Sequence, residues 1–404
     1  MSSKPKHVGF VYCYESLYSL LFYWGAITFR LHHLQTTPQR VIYALSIRIF
    51  FIGGFVTGVY IKLSDAQMSQ AMFSHLSPVV KIIFSWECVC CIITYIEYCL
   101  LLDTQRRRHI RLLANMQLLD TQISAAFPFV NWRYHRTRGK YWYGTVGITF
   151  LYLVITLTLM FDTTRCSCGF LSTLVIACSY TLVTSTLGLF SFIHIGLMDY
   201  LRVRFRLVMK LLRQLYAATS VTATERELQL DLLFAFAKRG SWLVQELNET
   251  VGTLAAAGMF YDFTHMTGFV YVVCQKLLHQ EPWDTQYAFL TLHLAVHIYK
   301  LIMTCVYGYI LQREKRNCMH LLSACGAHFK QIPQIQCRIE CFQHWCMHNK
   351  HTTTIGKKTP LNLSMLYVVF NGLANYVIVL VQLLFQLQQK DKQSMPKDVE
   401  IIKS

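Results

Sequence analysis

Long apolar stretches, separated by polar and mostly basic connections, dominate the pattern of this chain. A helix needs about 20 apolar residues to cross the hydrocarbon layer of a membrane. Seven stretches meet this requirement, at 41–62, 79–102, 141–161, 170–198, 253–275, 285–310 and 361–388. The pattern predicts an all-α membrane protein with seven transmembrane helices.

A further apolar stretch, Val8 to Phe29, precedes the first of the seven. It contains Glu15 and many aromatic residues, a mixture that suits the membrane–water interface better than the hydrocarbon. We therefore expect residues 1–40 to form a cytoplasmic N-terminal arm with a possible interfacial helix.

Basic residues alternate strongly from one connection to the next. One side of the predicted membrane layer carries 28 Lys and Arg and the other carries 7, with 3 more inside the spans. The positive-inside rule places the rich side, and with it the N-terminus, in the cytoplasm. After seven crossings the tail 389–404 is then extracellular. The long basic connections are expected to continue as helices, as in 225–249, where apolar residues recur at helical spacing.

Composition excludes several other classes of protein. Hydrophobic residues make up 54% of the chain and charged residues 15%, whereas soluble domains carry about 25% charged residues. The net charge of +17 lies between apolar spans and not on a soluble basic face, so no nucleic-acid partner is expected. No phosphate loop, zinc-protease motif or nucleophile elbow occurs in the sequence. We therefore predict no enzyme activity and no cofactor.

Ionisable residues inside predicted spans are candidates for function, because such groups usually face a cavity or pair with one another. They are Arg48, Glu87, Glu97, Asp262, His265, His293, His297 and Lys300. Asp262 and His265 lie three residues apart, on one helix face. We expect them, with the aromatic neighbours Tyr261 and Phe269, to contribute to a ligand pocket. The alternative is that residues near a span end reach the lipid headgroups.

The tract 318–351 is rich in Cys and His, which are ligand types for zinc. Its spacing matches no compact zinc finger, and a reduced cytoplasmic helix explains it equally well. No metal site is predicted from composition alone. The 15 cysteines of the chain are expected to be reduced packing residues, because many lie inside apolar segments.

The last span carries a short motif, Tyr376 followed by five apolar residues and Gln382. It resembles the signature of the insect gustatory receptor family, Thr-Tyr-(five hydrophobic)-Gln-Phe. Asn375 stands where that signature has Thr, and Leu383 stands where it has Phe. Chain length, span count and basic internal connections are also similar to this family.

The resemblance implies a ligand-gated, non-selective cation channel built as a homo- or heterotetramer. Residues 41–310 would be the six-helix ligand-sensing domain, 311–360 a cytoplasmic anchor segment and 361–388 the pore-lining helix. Gln382 would line the pore, and Leu383 and Val379 would form or adjoin its hydrophobic gate. Tyr376 and Asn375 would pack the pore helix against its neighbours.

The implied partners are a small tastant, permeant cations and membrane lipid, at the plasma membrane of sensory neurons. An acid after Tyr376 is a feature of the sugar-sensing branch. Its absence here favours a bitter or aversive tastant. Two alternatives are a G-protein-coupled chemoreceptor and a secondary transporter. The charge distribution is reversed for the first, and no internal repeat supports the second.

Overall fold

The computed structural model describes residues 9–31, 37–64, 78–163, 170–217, 222–278, 285–328, 333–349, 352–356 and 359–394. The helices described are α1 (Phe10–Cys13), α2 (Glu15–Tyr23), α3 (Pro38–Ser64), α4 (Pro78–Thr104), α5 (Arg106–Ala126), α6 (Tyr134–Thr163), α7 (Phe170–Ala217), α8 (Ala223–Leu278), α9 (Thr285–Ser323), α10 (Pro333–His348) and α11 (Leu363–Ser394). A 3-10 turn, Ala324–His328, follows α9, and two short strands, β1 (Thr354–Ile355) and β2 (Thr359–Pro360), pair antiparallel.

Each of the seven predicted spans coincides with a long helix, in order α3, α4, α6, α7, α8, α9 and α11. Five described helices contain stretches long and apolar enough to cross a membrane: Pro38–Gly58, Ser85–Thr104, Ala177–Ala217, Leu290–Gly326 and Leu363–Leu383. In the described part of the chain, the regular structure is all helical apart from the two short strands.

Three helices are much longer than a membrane is thick. α7 has 48 residues, α8 has 56 and α9 has 39. At 1.5 Å per residue α8 is about 84 Å long, against roughly 30 Å of hydrocarbon. The predicted helical continuation of the connections is thus present. Within it Leu233, Phe236, Leu243 and Leu247 are buried, whereas Leu228 is 62% exposed.

The N-terminal segment is packed into the protein. α1 and α2 have 4 and 9 residues, too short to cross a membrane. Tyr14 and Tyr18 are buried, and Tyr14 donates a hydrogen bond to the hydroxyl of Tyr141 on α6 at 2.8 Å. The aromatic side chains of this segment pack on other helices, and its position at the membrane interface stays a prediction. Residues 1–8 of the arm lie outside the described part of the chain.

Arg48 also belongs to this N-terminal packing. Its guanidinium donates to the carbonyl oxygens of Gly25 and Ala26, at 2.7 and 3.2 Å, and pairs with Asp103 at 2.7 Å. Gly25 has a φ of +69°, and a Cβ there would lie 2.9 Å from the carbonyl oxygen of Ala44. Arg48 therefore ties the turn after α2 to the end of α4.

A small β-hairpin closes the segment before α11. The Asn248 side chain on α8 donates to the Thr352 carbonyl at 2.6 Å and accepts from the Thr354 amide at 3.1 Å. The Gly356 amide then donates to the carbonyl of Gly252 at 3.0 Å. These bonds dock the hairpin on α8 and fix where α11 begins. The tail beyond residue 394 lies outside the described residues.

The last helix is largely uncovered by the rest of the chain. Only 6% of the residues in the most apolar stretch of α11 are buried, against 83% for α7. In a membrane protein such a helix has its other faces turned to lipid, to water or to another subunit.

Candidate functional site

Six ionisable side chains from three helices meet inside the bundle. Each is at most 8% exposed. α4 contributes Glu87, α8 contributes Asp262 and His265, and α9 contributes His293, His297 and Lys300. A cluster of this kind is costly to bury unless its members satisfy one another. We call these six residues the polar cluster.

Asp262 contacts two other members of the polar cluster. It forms an ion pair with the ammonium of Lys300, and it contacts Nδ1 of His297 at 2.8 Å. Beside the Lys300 ammonium, a carboxylate at Asp262 accepts the hydrogen bond that Nδ1–H of His297 donates. The other nitrogen of His297, Nε2, then carries a lone pair.

The three imidazoles are in mutual contact. Nε2 of His297 lies 3.4 Å from Nε2 of His293, and Nδ1 of His293 lies 3.3 Å from Nε2 of His265. One nitrogen from each ring lies within 4.8 Å of the other two. Beyond His265, its Nδ1 lies 3.7 Å from a carboxylate oxygen of Glu87. His265 Nδ1 and Glu87 Oε1 have no hydrogen-bond partner among the described residues.

Aromatic rings enclose the imidazoles. Phe269 packs edge-on against His265 with ring centroids 4.3 Å apart, and Tyr261 lies 5.5 Å from the same ring. Tyr152 from α6 meets His293 edge-on at 6.0 Å. Asp262 also lines a small cavity of about 20 Å³, enough for roughly one water molecule.

The sequence predicted which of these residues share a helix face, but it did not predict which helices face each other. Spacing along one helix joined Asp262 to His265, and His293 to His297 and Lys300. The structure adds the contact between the two helices and brings in Glu87 from α4. Two candidates lie elsewhere: Glu97 is exposed, and Arg48 pairs with Asp103. Their use in ligand binding stays a prediction.

The candidate pore residues are all exposed on α11. Exposure reaches 59% for Tyr376, 60% for Val379 and 44% for Leu383, and Asn375 and Gln382 are also exposed. Tyr376 meets Phe263 of α8 edge-on, with ring centroids 5.7 Å apart. Phe263 is next to Asp262 in sequence, so the polar cluster and the last helix are neighbours.

One face of α11 carries a row of amides that the sequence motif alone did not reveal. Asn371, Asn375, Gln382 and Gln386 are all exposed and follow one another at intervals of four, seven and four residues. At 3.6 residues per turn these positions share one helix face. The opposite face packs on the core, through Leu373 at 8% exposure and through Met365, Leu366, Val369, Phe370 and Val377.

The Cys- and His-rich tract is divided between the end of α9 and α10. Cys318 and Cys325 are buried in the core, whereas Cys337 and Cys341 are exposed. Among the residues that the structure describes, the tract brings no three ligand atoms together, and the His265, His293 and His297 group does. His351, at the end of the tract, lies outside the described residues.

Comparisons with known proteins give the family. Residues 14–387 match the model of the 7tm chemosensory receptor family. The chain is 52% identical over 405 residues to the Drosophila melanogaster protein named gustatory receptor 47b, covering 98% of this chain and 96% of that one. It is 24% identical over 297 residues to gustatory receptor 57a of the same species, covering 70% and 69%.

The fold is similar to that of a solved insect receptor. The olfactory receptor OR5 from Machilis hrabei, in complex with eugenol, aligns with a TM-score of 0.50 and 13% identity, covering 94% of this chain and 97% of that one. A second structure of OR5 aligns equally well, with 91% and 96% coverage. Since the family model and a relative of 52% identity both span nearly the whole chain, this protein belongs to the insect gustatory receptor family of chemosensory receptors.

Proposed function

We propose that this receptor is a ligand-gated, non-selective cation channel in the plasma membrane of sensory neurons, and that α11 lines its pore. The observation that carries the proposal is the exposed amide row of α11, opposite the face that packs on the rest of the chain.

An amide that faces hydrocarbon without a partner costs several kcal/mol. Four such residues on one face of a transmembrane helix therefore need water or another subunit. A central pore formed by α11 from four subunits supplies water to every copy of the row. Tetramer formation, by this chain alone or with related receptors, also covers the exposed apolar sides of α11.

We propose that the hydrophobic gate of the pore lies between the amides of Asn375 and Gln382. Ile378 and Val379 are 54% and 60% exposed and lie on the amide face between Asn375 and Gln382. Four rings of such apolar side chains can close a pore by excluding water. Leu383 is about 100° around the helix from Gln382, so it adjoins the gate beside the neighbouring subunit.

Orientation follows from charge, with the N-terminus and the long connections inside and the C-terminus outside. We propose that α5, α10 and the extensions of α7, α8 and α9 form a cytoplasmic anchor layer. Within it Arg206 of α7 pairs with Glu314 of α9 at 2.7 Å, and Arg338 of α10 pairs with Glu227 of α8 at 2.8 Å. Such pairs hold the extensions together beyond the apolar spans.

The tastant is proposed to act near Tyr261, Asp262, His265 and Phe269, in the outer half of the bundle. An aromatic and polar lining suits a small bitter or aversive compound, and the OR5 structure was obtained with eugenol. From this region the Phe263–Tyr376 contact leads directly to α11. A ligand can open the channel only to the extent that it binds the open state more tightly than the closed state.

Whole-cell currents through Gln382→Glu channels test the pore assignment. A ring of four carboxylates in the pore should favour divalent over monovalent cations and shift the reversal potential in mixed solutions. Gln122→Glu makes the same chemical change at an exposed position of α5 and should leave permeation unchanged. The stimulus is a panel of bitter alkaloids, with a related receptor co-expressed. Equal reversal potentials for both variants and the unchanged chain would remove Gln382 from the pore.

Surface labelling of a C-terminal epitope tests the orientation separately. Intact cells should bind the antibody without permeabilisation. Label that appears only after permeabilisation, with surface delivery shown by biotinylation, would place the C-terminus inside and favour the G-protein-coupled alternative.

A further inference from the structure

We propose that His265, His293 and His297 bind a divalent transition-metal ion of the Zn²⁺ type and thereby link α8 to α9. The three ligands come from two helices and converge inside the bundle. The site shares His265 with the proposed tastant region, but it is argued from its own geometry and does not depend on the channel proposal.

The spacing of the imidazoles is close to that of a metal centre. Zinc–nitrogen bonds of about 2.0–2.1 Å in a tetrahedron separate the ligand nitrogens by roughly 3.4 Å. Nδ1 of His293 lies 3.3 Å from Nε2 of His265, and the opposite nitrogen of His293, Nε2, lies 3.4 Å from Nε2 of His297. One nitrogen from each ring already lies within 4.8 Å of the other two, so the rings must turn and close in before a single nitrogen of His293 meets both partners at the metal. A water molecule can complete the fourth position.

The surrounding carboxylates are placed as outer partners of metal-bound histidines. A metal-ligating imidazole usually donates its other N–H to a carboxylate, which fixes the ring. Asp262 contacts Nδ1 of His297 at 2.8 Å and Glu87 lies 3.7 Å from Nδ1 of His265. In both rings the Nδ1 side faces an acid, and Nε2 faces the common centre.

The hydrogen-bond chain through the three imidazoles ends at Nδ1 of His265, which faces Glu87 at 3.7 Å. When His297 donates to Asp262, a chain of donors through His293 and His265 ends on a bare lone pair at His265 Nδ1. That nitrogen and Glu87 Oε1 have no partner among the described residues. Coordination of Nε2 reverses the tautomer of His265, so that Nδ1–H donates to Glu87. Lys300 offsets the charge of Asp262, with which it forms an ion pair.

Other buried histidines of the chain do not share this arrangement. His109 bonds to the Tyr18 hydroxyl, and His194 on α7 is 4% exposed and belongs to no group of three metal-ligand side chains among the described residues. His194 therefore serves as a matched control. Its replacement removes a buried histidine from the same bundle without touching the proposed ligands.

Metal binding to the purified full-length chain tests the proposal. After chelator treatment, we expect the protein to take up one Zn²⁺ per chain and to give the visible absorption of tetrahedral Co²⁺. His293→Gln and His297→Gln should each weaken binding at least tenfold, and His194→Gln should leave it unchanged. Binding that persists unchanged in both ligand variants, or that is lost equally in His194→Gln, would overturn the site.

A second measurement needs no variant. Zn²⁺ that binds only the folded chain should raise its melting temperature, by an amount that grows with concentration above the dissociation constant, while Mg²⁺ at the same concentration should not. A monodisperse chain whose melting is indifferent to Zn²⁺ and Co²⁺ contradicts the proposal. Currents are not part of either readout, so a chain that binds metal without conducting fails only the channel proposal.

Discussion

Asp120 is expected to hold the three helices α5, α6 and α7 together. It lies on α5, is 2% exposed, and accepts hydrogen bonds from Tyr134 at 2.7 Å and from Tyr200 at 2.9 Å. Nε of Arg204 donates to it at 2.9 Å. Tyr134 begins α6, and Tyr200 and Arg204 lie on α7. Replacing Asp120 with Ala therefore removes its hydrogen bonds to both of the other helices, although the Tyr200 hydroxyl still contacts the Met116 carbonyl on α5.

The loss of stability in Asp120→Ala follows from the Arg204 charge, which stays buried without its carboxylate partner. The Arg204 side chain is only 11% exposed, and removing one partner of a buried ion pair typically costs 3–5 kcal/mol. The guanidinium keeps its contacts with the rings of Tyr200 at 3.7 Å and Trp132 at 4.6 Å. Because these contacts persist in the variant, we expect the lower end of the range, about 3 kcal/mol.

Thermal melting in detergent, followed by size-exclusion chromatography of the surviving fraction, measures the effect. Glu15→Gln is the control, because the Glu15–Arg138 pair has a separation of 3.5 Å with side chains 28% and 40% exposed. Such exposed pairs are worth about 0–1 kcal/mol. Adding Arg204→Met to Asp120→Ala should recover much of the loss, since it removes the stranded charge. The reasoning is refuted if Asp120→Ala melts like Glu15→Gln.

Two further predictions concern packing and pH. A Cβ at Gly308 would lie 2.5 Å from Leu361 Cγ and 2.8 Å from its carbonyl oxygen, whereas Gly147 has nothing within 4 Å. Gly308→Ala should lower the melting temperature and Gly147→Ala should not; equal melting would show that α9 and the start of α11 separate freely. Burial lowers the pKa of His109 from 6.5 to about 4, so the unfolded chain binds its proton first. Stability should fall as pH drops from 6.5 toward 4, and His109→Asn should melt with a shallower dependence between pH 7 and 5; identical slopes would contradict the assignment.

The helices themselves were predictable because length and apolarity decide whether a segment can span a membrane. The extension of α8 was predictable for a related reason. Apolar positions such as Leu233, Phe236 and Leu243 recur at helical spacing, and they are buried as that spacing requires. Hydrophobic periodicity indicates which face of a single helix is buried, and each of these two predictions concerned a single helix.

Contacts between distant segments could not be predicted from the sequence. The hairpin at Thr354 is held by Asn248, more than 100 residues earlier, and no local pattern marks that pairing. Tyr14 and Tyr18 have the composition of an interfacial helix, and only their contacts with α5 and α6 show that they are core residues. His293 was assigned to a helix face, but its contact with His265 requires the register of α8 against α9.

The last helix shows how the two kinds of information combine. The amide row from Asn371 to Gln386 is present in the sequence, since its spacing alone puts it on one face. An amide row turned toward the bundle would be a helix–helix contact, and the same row turned away can line a pore. Leu373, at 8% exposure on the opposite face, and the Phe263–Tyr376 contact on the flank decide between these orientations. The pore proposal therefore depends on how α11 is rotated about its axis, and a charge placed at Gln382 tests that rotation directly.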